Sequence, residues 1–63
     1  GAFAEAEPLC RRSLAAKQAR FGERHPSVAL GLYQLADIRE RLGDDAEAAE
    51  LRRRADAIPA VTG

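Results

Sequence analysis

The sequence predicts an all-α fold: antiparallel helical hairpins of an α-α superhelix, with three helices making about one and a half repeats. Three observations carry this. Alanine is the commonest of the 63 residues, Arg greatly outnumbers Lys, and β-branched and aromatic residues are few, a composition that favours helix nearly everywhere. The chain repeats itself: at an offset of 42, Gly1 to Ala16 aligns with Gly43 to Ile58, and eight of sixteen positions are identical (Gly1/Gly43, Ala4/Ala46, Glu5/Glu47, Ala6/Ala48, Leu9/Leu51, Arg11/Arg53, Arg12/Arg54, Ala15/Ala57). Composition alone would give about one or two. Finally, isolated Gly and Pro residues divide the chain into helix-length pieces with no strand-type alternation.

The first helix is expected from about Phe3 to Arg20, with Phe3, Ala6, Cys10 and Leu14 on one stripe and Gly22 as the left-handed residue that ends it. Pro8 lies inside it and should bend the axis, because it lacks one backbone donor. After the loop Phe21 to His25, Pro26 suits a first helical position, where an N–H is unpaired anyway. The second helix then runs to about Leu42. Val28, Leu32, Leu35, Ala36 and Leu42 form its buried stripe, with Leu30 and Ile38 on an adjacent flank. Gly31 weakens this helix by ~1 kcal/mol relative to Ala, which points to a close approach by another backbone. Gly43 closes the second helix, and Asp44 with Glu47 three residues on is an acidic form of the capping box. The third helix is expected to reach about Ile58 before Pro59. Residues 59–63 are expected to form a frayed tail.

Length and charge exclude several classes of function. A chain this short hides only about 60% of the surface its unfolded form exposes, so its core is marginal. The single Cys10 allows no internal disulfide, which fits a reducing, cytoplasmic setting. Ten basic and ten acidic side chains cancel, so no overall field recruits nucleic acid or an anionic membrane. No apolar run approaches the ~20 residues that span a bilayer. A start at Gly1 in place of Met suggests a piece of a longer chain. The lone His25 and lone Cys10 have no spacing for a nucleophile–base pair or for metal ligands; a helix-entry histidine and a small core thiol are the better readings. With no glycine-rich phosphate loop either, no catalytic residue, cofactor or metal is assigned.

The segments Ala4-Glu5-Ala6-Glu7-Pro8-Leu9-Cys10-Arg11-Arg12-Ser13-Leu14, Gly22-Glu23-Arg24-His25-Pro26-Ser27-Val28-Ala29 and Leu32-Tyr33-Gln34-Leu35-Ala36 carry a family likeness. They resemble the tetratricopeptide repeat of the kinesin-light-chain type, whose 42-residue period exceeds the ordinary ~34 through a longer loop between units. The resemblance covers nearly the whole chain and implies that residues 1–22 are the second helix of a partial repeat and 23–58 a complete C-terminal repeat. It implies a non-catalytic scaffold, the C-terminal part of an array, in which the first helix of each unit lines a groove for a peptide or protein partner. Tyr33, Gln34, Asp37 and Arg41 occupy the flank that would face the groove, with Tyr33 the leading contact. The Asn and Lys residues that would clamp a C-terminal carboxylate are absent.

Departures from the pattern are informative. Asp45, Arg52 and Asp56 stand where the first copy has Phe3, Cys10 and Leu14, so the third helix reads as the polar end cap of the array. The first helix lacks its usual neighbour before Gly1, and self-association through its exposed face is an alternative use. Arg39 replaces a favoured Tyr, and its head is expected to reach Asp44 or Glu47. Two other roles compete with the scaffold. One is a three-helix nucleic-acid-binding module using Arg52, Arg53 and Arg54 with Arg11 and Arg12; the helix dipole and interleaved acids explain those arginines better as a solvated surface. The other is a regulatory segment of a larger enzyme.

Overall fold

A computed structural model describes residues 2–59. Three helices form: α1 Ala2–Phe21, α2 Pro26–Arg41 and α3 Asp45–Asp56, with no strand among the described residues. Of the expected tail at 59–63, residues 60–63 lie outside the described residues.

The punctuation works as its chemistry requires. Gly22 and Gly43 take φ of +90° and +91°, left-handed values that a side chain rarely adopts. At Gly43 the chain makes a Schellman turn, in which the Gly43 N–H donates to the Glu40 carbonyl at 3.0 Å and the Asp44 N–H to the Arg39 carbonyl at 2.9 Å. Asp44 Oδ1 then accepts from the Glu47 N–H at 3.0 Å and caps α3. Only half of the expected capping box forms. The Asp44 N–H is already held by Arg39, and the Glu47 carboxylate turns instead to Arg11 and Arg39. His25 caps α2: its Nδ1 accepts from the Ser27 N–H at 3.0 Å, and Phe21 stacks on its ring at 4.4 Å between centroids. α1 runs unbroken through Pro8.

The three helices lie side by side within 38 × 20 × 16 Å, and α2 packs antiparallel against both neighbours. No α1 Cα comes within 8 Å of an α3 Cα. The core is therefore built around α2, which contributes Val28, Leu32, Leu35 and Ala36, all 1% exposed or less. α3 adds Ala48, Leu51 and Ala55, whereas α1 adds Leu14 alone, with Cys10 partly buried beside it. Each Leu or Val fully removed from water contributes roughly 1.5–3 kcal/mol, so α2 carries the largest share.

Three expectations about packing need correction. Leu42 is 39% exposed, because α2 has ended and Leu42 serves as its C-cap beyond the reach of either neighbour. Phe3, also 39% exposed, lies at the end of α1 where α2 terminates, and the Arg41 guanidinium covers its ring instead of the core. The close approach at Gly31 is by a side chain and not a backbone: a Cβ there would meet Leu14 Cδ1 at 3.0 Å. Gly31 is the notch that seats the one buried residue of α1.

Candidate functional site

Burying one stripe of a helix determines what the opposite stripe shows. With Val28, Leu32, Leu35 and Ala36 turned inward, Leu30, Tyr33, Gln34, Asp37 and Arg41 all emerge exposed on the remaining flank of α2. The four residues singled out from the sequence thus lie on one side of one helix. Leu30 joins them at 55% exposure, although periodicity placed it only beside the core stripe. Its signal was its spacing of three, seven and eleven residues from Tyr33, Asp37 and Arg41.

The flank is not uniformly free. The Tyr33 hydroxyl donates to the Asp56 carboxylate of α3, and this bond, with burial and the negative charge of Asp56, pushes the phenol above its ordinary pKa. Tyr33 therefore offers its ring, while its polar tip is held. Arg41 sits with its guanidinium 5.1 Å from the Phe3 centroid and 3.8 Å from Asp37 Oδ1, a loose pair between side chains more than half exposed. Such a pair stabilises by at most ~1 kcal/mol, so both charges remain free to exchange partners. Gln34 has no side-chain hydrogen bond among the described residues. Along one edge of α2 there is thus an apolar residue, a fixed aromatic ring, a free amide and two opposite charges, a set suited to holding a polypeptide rather than to chemistry.

The opposite side of α2 carries an ionic cluster that the sequence revealed only in part. Arg39 reaches Asp44 Oδ2 at 2.8 Å, as expected, but also Glu7 of α1, whose Oε2 lies 2.8 Å from Nη1. Its Nε is buried and lies 2.7 Å from Glu47 Oε1 with the N–H aimed off that line, an ion pair without a hydrogen bond. Arg11 completes the ring, with Nη2 2.9 Å from Glu7 and 3.1 Å from Glu47. Partial burial raises the Glu7 pKa, but hydrogen bonds from Arg11 and Arg39 outweigh it and hold the carboxyl below its ordinary value. The bond from Arg39, then that from the Glu47 N–H, does the same for Asp44.

Nothing here favours nucleic acid or a metal. Arg52 pairs with Glu40 at 3.3 Å and Arg53 with Glu50 at 3.3 Å, so two of the three consecutive arginines face carboxylates. Among the described residues no group of His, Cys, Asp and Glu could hold a metal, and no helix is long and apolar enough to cross a membrane.

Because both depressed carboxyls bind protons more readily in the unfolded chain, they add stability above the ordinary carboxylate range, around pH 4, and that stability is lost as pH falls through the lower folded values. Thermal unfolding followed by circular dichroism should show Tm dropping on acidification below about pH 4, and the drop should shrink in Arg39→Met. An equal drop in both proteins would place the acid sensitivity elsewhere.

Searches among curated proteins and among solved structures give no match to this chain. A protein-family model described as tetratricopeptide repeat matches residues 1–58. That match spans all three helices, and the chain belongs to the tetratricopeptide repeat family.

Proposed function

We propose that the chain is a non-catalytic interaction segment whose α2 flank docks a peptide or protein partner. The observation that carries the reading is the emergence of Leu30, Tyr33, Gln34, Asp37 and Arg41 together, all exposed, on one side of α2. Family membership supports it, since helical repeats of this kind commonly serve as scaffolds. The 42-residue internal offset and the His25-Pro26 entry to α2 favour the kinesin-light-chain variety. A cytoplasmic site of action, suggested by the lone thiol Cys10, belongs to the same proposal.

The structure also supports the end of an array as the place of this segment. Leu51 is 4% exposed against α2, yet Leu9, its counterpart 42 residues earlier, is 64% exposed. The face of α1 around Leu9 matches the face of α3 that α2 covers, so a helix of α2 type fits there. The other end differs. Arg52 and Asp56 turn back onto Glu40 and Tyr33 of α2, leaving α3 a charged edge where the first copy has Cys10 and Leu14. Such an edge ends a stack without leaving apolar surface exposed.

Two experiments test these readings. With the tightest binder from an arrayed library of short synthetic peptides as probe, Tyr33→Ala should weaken binding about tenfold or more while the helical dichroism is unchanged. Undiminished affinity would move the contact off this flank. Replacing Arg52 by Tyr together with Asp56 by Leu should give α3 an adhesive edge that meets the Leu9 face of another copy, a head-to-tail contact seen as growing species in light scattering. A particle of constant size at high concentration would argue against α3 as a cap.

A further inference from the structure

We infer that the cluster Glu7, Arg11, Arg39, Asp44 and Glu47 is a clasp that sets the angle between α1 and α3, and with it the curvature of the stack. The inference starts from an absence of backbone contact: α1 and α3 both pack on α2, but no Cα of one lies within 8 Å of the other. Two helices that share only a third are free to roll on it unless something joins them. Across the gap run charged side chains: Arg11 bridges Glu7 and Glu47, and Arg39 rises from α2 between the same two carboxylates.

Burial separates the Arg39–Glu7 pair from ordinary surface ones, and the more exposed Arg11 joins Glu7 to Glu47 beside it. The Arg39 and Glu7 side chains are 23% and 18% exposed, whereas the Arg41–Asp37 pair is more than half exposed on both sides. Partly buried pairs escape most of the screening that weakens exposed ones, and several charges sharing one arginine immobilise fewer side chains per pair. Arg39 also continues into the turn after α2: its carbonyl accepts from the Asp44 N–H, and its guanidinium donates to the Asp44 carboxylate. One side chain therefore ties the preceding helix, the Schellman turn and the following helix.

The clasp is directional. In α3, the residue 42 positions after Glu7 is Ala49, although Arg53 repeats Arg11. α1 can hold a following unit that carries an arginine at the Arg39 position; α3 lacks the carboxylate to do so. The clasp uses none of the residues of the α2 docking flank, so it stands or falls separately from the role given to that flank.

The test is a spin-label distance measurement between Arg12→Cys on α1 and Arg54→Cys on α3, in a Cys10→Ala background. In the otherwise unaltered protein the distribution should be single and narrow. In Arg39→Met, which keeps an apolar stem, it should broaden and shift to longer distances while helicity is retained. An unchanged distribution at unchanged helicity would overturn the inference. If Arg39→Met loses helicity, Glu7→Gln is read by the same two criteria. Loss of helicity in both would equally overturn it, since the cluster would then be a requirement for folding and not a setting of angle.

Discussion

Everything in this molecule depends on the burial of one stripe of α2 from two sides at once. Val28, Leu32, Leu35 and Ala36 are essentially inaccessible because α1 covers one edge of the stripe and α3 the other. Among the described residues, neither outer helix has a second neighbour. Leu14, seated in the Gly31 notch, is the only buried residue of α1, so the contribution of α1 to the core is narrow. A chain of this length has little margin, and polar ties at the ends of the helices supplement the apolar contact. The His25 cap, the Schellman turn at Gly43 and the ring of charges around Arg39 are those ties.

The same constraint links packing to function. Once the stripe of α2 is fixed, the flank bearing Leu30, Tyr33, Gln34, Asp37 and Arg41 has nowhere to go but solvent, and its residues are presented on a helix held along its length. A rigid helix edge loses little conformational freedom when a partner arrives. The bond from Tyr33 to Asp56 extends this, holding the aromatic ring by its tip while leaving its face open. The charged edge of α3 thus orients a residue of the candidate docking flank, beside the capping role proposed for it.

Helix boundaries were legible because local chemistry sets them. Gly22, Gly43, Pro26 and Asp44 act within a few residues of themselves, and α1, α2 and α3 begin and end within one or two residues of the expected places, the end of α3 at Asp56 included. Exposure of the α2 flank was legible as well, since a helical period that buries Leu32 and Leu35 must expose Tyr33, Gln34 and Asp37. What escaped the sequence was contact across helices. Periodicity put Leu42 and Phe3 in the buried stripes but says nothing about where a neighbouring helix stops. It paired Arg39 with Asp44 and Glu47, close in sequence, and missed Glu7, thirty-two residues away. It likewise read Asp56 as a solvated cap residue and could not see that Tyr33 lies within its reach.

Native-state hydrogen exchange tests the central role of α2 most directly, because it reads the opening of each helix separately. The amides of Leu32, Leu35 and Ala36 should be the slowest in the molecule, those of α3 around Leu51 intermediate, and those of the first half of α1 the fastest among helical residues. Exchange in α2 no slower than in the first half of α1 would contradict the account, since it would mean that the doubly covered stripe is not what holds the three helices together.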